Sequence, residues 1–142
     1  MTVRSFIALA GALVSVAASA QKSGERDVPK ATTESFHKSF PGAIGKWVRE
    51  GKNYEVNFRQ QQTSVSAVFD KMGNLIETET SIAISELPAT IPLYIKSHYK
   101  GLAIKEAARI VKAGGEVMFE AEVKKKDILF DNDGKFVKET AD

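Results

Sequence analysis

One phrase occurs twice in this chain of 142 residues, and it limits the fold more than any other feature. The segment VFDKMGNLIETE begins at Val68, and the segment LFDNDGKFVKET begins at Leu129, 61 residues later. Each combines the end of one strand, a turn around a glycine (Gly73 or Gly134) and the start of the next strand. The sequence therefore predicts a tandem repeat of one structural unit.

A helix is predicted to open each repeat. In VPKATTESFHKSFPG, Phe36 and Phe40 share one helical face, and in LPATIPLYIKSHYKG, Ile91 and Ile95 do the same. Gly42 and Gly101 stand after the two helices, where a left-handed residue commonly ends a helix.

The start of the second helix has two readings. Ser85 is a candidate N-cap, which would begin the helix before Leu87. Pro92 instead favours a helix that begins late or carries a kink, because proline cannot donate a backbone hydrogen bond. In the first helix Pro29 suits the first turn.

Strands with alternating polarity follow each helix. NYEVNFRQ and EVMFEAEVK alternate strictly, KWVRE and IKEAARIVK precede them, and SVSAVFD and KDILFD lead into the repeated turns. The predicted fold class is α+β, with one helix and four antiparallel strands in each of two repeats, residues 28–84 and 85–142. Both helices are expected on one face of a continuous sheet, with the other face open to water, and the repeats are expected to form one domain, residues 21–142.

The first twenty residues, MTVRSFIALAGALVSVAASA, have the pattern of a secretory signal peptide. Arg4 precedes an apolar run that is too short to span a bilayer, and Ala18 and Ala20 suit cleavage after residue 20. The expected product is exported to the periplasm or the medium, begins with the polar leader 21–27, and does not insert into the membrane. No cysteine is present, so neither a lipid anchor on cysteine nor a disulfide is expected.

Composition and motifs argue against several function classes. Without Arg4 the chain has 19 basic and 18 acidic residues, which gives no basic stripe for nucleic acid, and the run Lys124–Lys126 is read as a hairpin tip. His37 and His98 lack the partners of a metal site, and no phosphate-binding glycine loop occurs. Glu77 and Glu79 lie on one strand face but without a predicted pocket. The sequence predicts no catalytic residue, no cofactor and no metal.

The face turned away from the helices is the candidate partner-binding surface. If Tyr54, Val56 and Phe58 face the helix, strand parity turns the alternate side chains to the other side. That predicted surface consists of Glu55, Asn57, Arg59, Val68, Met118, Glu120 and Leu129. Trp47 is the only tryptophan, and either face of the sheet would accept it.

Taken together, these residues resemble the PepSY-like family of small exported bacterial proteins, which is described as β-lactamase-inhibitor-like. The resemblance implies a tandem helix-plus-sheet fold like that of the secreted β-lactamase inhibitor protein, and a binding or inhibitory role often linked to peptidases. It supplies no catalytic residue, and the hairpin Gln60–Thr63 departs from the glycine-containing turn of the family. The matching pieces are Pro29, Phe36, Phe40-Pro41-Gly42, Trp47, Tyr54 to Phe58, Phe69 to Glu79, Ser85 to Pro88, Tyr94-Ile95, Tyr99 and Phe130 to Gly134.

Two functions are compatible with the sequence. The first is an exported, non-enzymatic binding protein that inhibits or regulates a peptidase or another envelope protein through the open sheet face. The alternative is a periplasmic sensor or scaffold module that binds a small ligand or a peptide strand. A closed pocket would favour the alternative, and a broad surface without a pocket would favour a protein partner.

Overall fold

A computed structural model describes residues 21–141, so the predicted signal peptide lies outside the described residues. The described chain runs twice through a short 3₁₀ turn, one helix and a series of strands. The elements are β1 (Gln21–Ser23), a first 3₁₀ turn (Glu25–Asp27), α1 (Lys30–Ser39), β2 (Lys46–Glu50), β3 (Asn53–Gln60), β4 (Thr63–Phe69), β5 (Leu75–Ile82), a second 3₁₀ turn (Ile84–Glu86), α2 (Thr90–His98), β6 (Ile104–Lys112), β7 (Val117–Val123), β8 (Lys126–Asp131) and β9 (Phe136–Ala141).

The fold class is α+β, as predicted, with two helices and an antiparallel sheet whose strands neighbour one another in chain order. One strand was not predicted. The segment Gln21–Ser23 falls in the supposed polar leader, yet it pairs with β2, with Ser23 opposite Trp47. A polar segment can extend a sheet because the pairing uses backbone groups only.

The described chain divides into two compact units, residues 21–78 and 79–141, with the boundary inside β5. The boundary between the two structural repeats does not coincide with the boundary between these units. The two 3₁₀ turns and the two helices correspond with an offset of 59 residues, so that Phe36 matches Ile95 and Gly42 matches Gly101. That the repeats unfold as one cooperative domain stays a prediction.

The second helix begins at Thr90, and the prediction of Ser85 as its N-cap is wrong. Ser85 lies in the second 3₁₀ turn, and Leu87 is extended, with ψ of 143°. The residue before a proline avoids the helical conformation, and Leu87 precedes Pro88. The other reading, in which the second helix begins late, is therefore correct. Pro92 lies in the first turn of α2, where its missing N–H is tolerated.

The repeated phrase forms a turn that docks on the start of each helix. Asp70 Oδ1 accepts hydrogen bonds from the backbone N–H of Met72 and Asn74, at 2.8 and 2.9 Å. Asp131 Oδ1 makes the same two bonds, to the N–H of Asp133 at 3.0 Å and of Lys135 at 2.9 Å. The repeated phrase therefore has two roles in each repeat: its turn closes a hairpin, and it also supports a helix.

Threonines at the helix starts hold the turns in place. Thr32 Oγ1 donates to the carbonyl of Asp70 at 2.8 Å, and Thr90 Oγ1 lies 3.3 Å from the carbonyl oxygen of Gly134. Gly73 and Gly134 have φ of +84° and +77°, the left-handed region that favours glycine.

The core of unit 21–78 is mainly aromatic. Phe36 of α1 meets Trp47 and Phe58 edge-on, with ring centroids 5.5 and 5.3 Å apart, and Phe69 is fully buried beside them. Trp47 therefore packs on the α1 side of its strand. Edge-to-face rings add to the stabilisation from buried area alone.

The core of unit 79–141 is mainly aliphatic. Ile91 and Ile95 of α2 pack on Val123 and Ile128, with Phe130 as the fully buried aromatic residue. Phe130 therefore takes the place that Phe69 takes in the first unit, as the repeated phrase predicts.

Candidate interaction surfaces

Strand parity predicts the sides of β3 and β4 correctly but not their exposure. Val56 and Phe58 lie in the core beneath α1, so Glu55 and Arg59 point to the other side. Arg59 is exposed and Asn57 half-buried, whereas Glu55 is 1% exposed and Val68 is buried. The expectation that Glu55 and Val68 face water is wrong, because Glu55 is flanked in register by Val48 and Val68.

Glu55 lies in a cluster of buried or partly buried carboxyl groups. Asn57 Nδ2 donates a hydrogen bond to Glu55 Oε1 at 2.7 Å. Burial, together with the negative charges of Glu50 and Glu77, raises the pKa of Glu55 to about 8. Burial also raises the pKa of Glu50. A neutral Glu55 at pH 7 removes most of the cost of burying this side chain.

The cluster does not have the arrangement of a metal site in the part of the chain that the structure describes. Within residues 21–141, no group of three His, Cys, Asp or Glu side chains is placed to hold a metal ion. Glu77 and Glu79, which share one strand face, are both 2% exposed.

The predicted face in unit 79–141 is likewise covered. Met118, Glu120 and Leu129 lie opposite the α2 side, as parity predicts, but all three are buried. Met118 and Leu129 form a small apolar cluster with Ile110, and Glu120 is flanked in register by Ala108 and Leu129. Side chains on neighbouring strands cover one another. A binding role for the seven predicted residues stays a prediction.

The exposed large apolar side chains lie elsewhere. In unit 79–141 they are Ile84, Leu93, Leu102, Phe136 and Val137, and in unit 21–78 they are Ile44 and Met72. Leu93 is 65% exposed and Phe136 43%. The second unit therefore exposes more apolar surface, and strand alternation could not reveal it because most of these residues lie on a turn, a helix or a loop.

One flank of α2 carries a stack of rings. Tyr94 lies parallel to His98 on one side, with centroids 3.9 Å apart, and to Phe136 at the start of β9 on the other, at 5.2 Å. Leu93, the residue before Tyr94 in α2, is exposed. The i,i+4 spacing of Tyr94 and His98 was a usable signal, but it identifies a shared flank and not its exposure.

The opposite flank of α2 borders a shallow groove of about 280 Å³. Its lining is apolar apart from Lys96, and it is contributed by the second 3₁₀ turn, α2 and the loop before β6. The lining residues are Ile84, Pro92, Ile95, Lys96, Gly101, Leu102, Ala103 and Ile104.

Hydrogen bonds fix the end of α2 next to this groove. Leu102 N donates to the carbonyl of Tyr99 at 3.0 Å, and the Tyr99 hydroxyl donates to Glu139. Lys126 Nζ donates to the other carboxylate oxygen of Glu139 at 2.6 Å. Desolvation and the Glu139 carboxylate raise the pKa of Tyr99 to about 12, so the hydroxyl stays a donor throughout the physiological range.

The helices within residues 21–141 are all too short or too polar to cross a bilayer. The sequence model of the family described as "Putative beta-lactamase-inhibitor-like, PepSY-like" matches the chain twice, over residues 17–77 and 52–138. The chain belongs to this PepSY-like family. No curated protein matches the sequence of this PepSY-like chain.

Solved structures with a similar fold come from species of Bacteroides. A Bacteroides eggerthii protein described as "putative periplasmic" has a TM-score of 0.72 and 15% identity, over 80% of this chain and 88% of its own. A DUF2874 family protein from Bacteroides uniformis has a TM-score of 0.71 and 16% identity, over 80% and 89%. A BLIP-like protein from Bacteroides fragilis has a TM-score of 0.59 and 20% identity, over 80% and 86%. The PepSY-like protein thus shares its fold with these proteins.

Proposed function

We propose that this PepSY-like protein is an exported, non-enzymatic binding protein that holds a partner protein through the apolar surface around α2 and β9. The exposure of Leu93 beside the stacked rings of Tyr94 and Phe136 is the observation that supports it most. Aromatic side chains are enriched in protein interfaces, and contiguous exposed apolar surface marks interaction sites.

Export to the periplasm is part of the proposal. The signal-peptide pattern of residues 1–20 supports it, and so does the description of the Bacteroides eggerthii protein as periplasmic. The BLIP-like neighbour supports an inhibitory or regulatory action on the partner, and the resemblance of the sequence to PepSY modules makes a peptidase one candidate partner.

The proposal is tested by capturing the partner from the exported fraction with the mature protein, or one of its variants, as bait. The mature protein should retain a partner that the double variant Leu93→Asp/Phe136→Asp does not retain, because a charge in an apolar contact leaves that contact unpaired. Ile44→Asp is the matched control, since Ile44 is 91% exposed in the other unit. Arg59→Glu tests the originally predicted face. Loss with Arg59→Glu, and not with the double variant, would place the contact on β3 instead.

A second candidate function is a sensor or scaffold module that binds a peptide or a small ligand. The groove beside Lys96 is the observation that favours it. The groove is shallow and lies at the surface, so it suits one side chain of a larger partner better than an enclosed small molecule.

A further inference from the structure

The two repeats differ at the place where the groove lies, and this difference carries an inference about recognition. With the offset of 59 residues, Ile84 corresponds to Glu25 and Lys96 to His37. In the first unit, Glu25 Oε1 and His37 Nε2 lie 2.9 Å apart and join the 3₁₀ turn to α1. In the second unit, the equivalent pair is an exposed isoleucine and a lysine, and both line the groove.

The backbone around the two places is the same. Each 3₁₀ turn has its leading N–H held by an acidic side chain, Gly24 N by Asp27 at 3.2 Å and Ala83 N by Glu86 at 2.7 Å. The difference is therefore one of side chains: the Glu25–His37 pair of the first unit corresponds to an apolar side chain and a cation that line the groove in the second unit.

The positive charges around the groove favour a ligand that carries an anionic group beside the part that fills the groove. Lys96 makes no hydrogen bond or ion pair with any residue in the range 21–141. Lys100 and Lys105 adjoin the lining residues in sequence and are exposed. Of the nearby carboxylates, Glu86 accepts the bond from Ala83 N, and Glu106 lies opposite Glu122 of β7 in the strand register.

We propose that the groove receives one apolar side chain of the partner protein, with a carboxylate on the adjacent partner residue contacting Lys96. The inference rests on the proposed binding function and specifies the partner motif. The lining of Ile84, Pro92 and Leu102 would contact the apolar side chain, and Lys96 at the rim would select the acidic neighbour. An exposed ion pair adds little affinity but does discriminate between partners.

Short peptides test the motif without knowledge of the partner. The probe is N-acetyl-Gly-Leu-Glu-Gly-amide, titrated into ¹⁵N-labelled mature protein and followed by amide chemical shifts. We expect shifts concentrated in residues 84–104. The peptide with glutamine in place of glutamate should bind roughly two- to fivefold more weakly, as expected for the loss of an exposed ion pair. The peptide with alanine in place of leucine should bind more weakly still, because it fills less of the groove.

Two variants make the test specific. Ile84→Glu/Lys96→His copies the first repeat and should abolish the shifts, and Lys96→Gln should remove only the preference for glutamate over glutamine. The amide spectrum itself reports whether each variant is folded, and Ile44→Asp is the control that should bind as the unmodified protein does.

Several results would overturn the inference. These are equal binding of the glutamate and glutamine peptides, shifts outside residues 84–104, or unchanged binding by Ile84→Glu/Lys96→His. Binding of octanoate but of neither peptide would assign the groove to a small amphiphile. Self-association that this double variant abolishes would assign it to a second copy. If neither peptide binds while partner capture still depends on Leu93 and Phe136, the proposed function is retained and only the groove motif is rejected.

Discussion

The two repeats share a backbone plan but differ in what they present to solvent. The first packs aromatic rings against α1 and ties its 3₁₀ turn to the helix through Glu25 and His37. The second packs aliphatic side chains against α2 and leaves Ile84, Leu93 and Phe136 exposed. The turns and glycines that the repeats have in common set the fold. The positions at which they differ are the ones to search for binding.

The largest expected effect tests whether the two cores are equivalent. Phe69→Ala and Phe130→Ala each remove a fully buried ring, and each should lower the free energy of unfolding by about 3–5 kcal/mol. Urea unfolding followed by circular dichroism measures both variants. Each should unfold in a single transition if the repeats form one cooperative domain, and two separated transitions would contradict that.

The second prediction concerns pH and applies to the first unit. Because the pKa of Glu55 is about 8 in the folded protein and 4.5 as its ordinary value, the unfolded chain binds fewer protons between these pH values. The stabilising effect is complete below pH 4.5 and is lost as the pH rises through about 8. The free energy of unfolding should fall by at most about 1.4 kcal/mol per pH unit in this window.

Glu55→Gln separates this effect from the other titrating groups. Glutamine stays neutral, and it can still accept the hydrogen bond from Asn57. The variant should therefore show a shallower fall in stability with pH than the unmodified protein. Equal slopes for the two proteins would mean that Glu55 ionises normally in the fold.

The third prediction compares the two docked turns. A Cβ at Gly73 would lie 2.5 Å from the carbonyl oxygen of Ala31, a backbone atom, whereas one at Gly134 would meet the Thr90 hydroxyl, a side-chain group that can rotate if it gives up its contact with the Gly134 carbonyl. We expect Gly73→Ala to cost more than Gly134→Ala, within the range of about 1–3 kcal/mol for backbone strain. Gly101→Ala is the control, since its φ is +75° but nothing lies within 4 Å of the added Cβ. Thermal unfolding that ranks Gly101→Ala as the most damaging would contradict the docking role.

The smallest expected effect concerns the pair of Glu25 and His37, which joins the 3₁₀ turn to α1 in the first repeat. Glu25 and His37 are about half exposed, so breaking the pair with Glu25→Gln should change the free energy of unfolding by less than about 1 kcal/mol. The double variant Ile84→Glu/Lys96→His should be similarly mild. A large loss of stability in either would show that these positions support the fold rather than distinguish the surfaces.

Local pattern predicted much of this fold. The predicted strands KWVRE and IKEAARIVK coincide with β2 and β6, and the strictly alternating segment NYEVNFRQ coincides with β3. The equivalence of Phe69 and Phe130 followed from the repeated turn. The start of α2 was harder to place, because Ser85 has the chemistry of an N-cap and only the extended Leu87 excludes it.

Exposure was predicted less well, for a physical reason. Strand parity gives the side of the sheet on which Glu55 or Met118 lies, but burial depends on neighbours from other strands, whose register the sequence does not state. The groove presents the same difficulty. Ile84, Lys96 and Leu102 come from three different segments, and no short-range pattern links them.

Site-specific photocrosslinking in the exported protein tests most directly whether binding depends on the second repeat. A photoreactive phenylalanine analogue at Leu93 and, separately, at Ile44 places the same probe on an exposed apolar position in each unit. The account predicts a discrete crosslinked species from position 93 and none from position 44. Crosslinking from position 44 alone would contradict the assignment of the binding surface to α2 and β9.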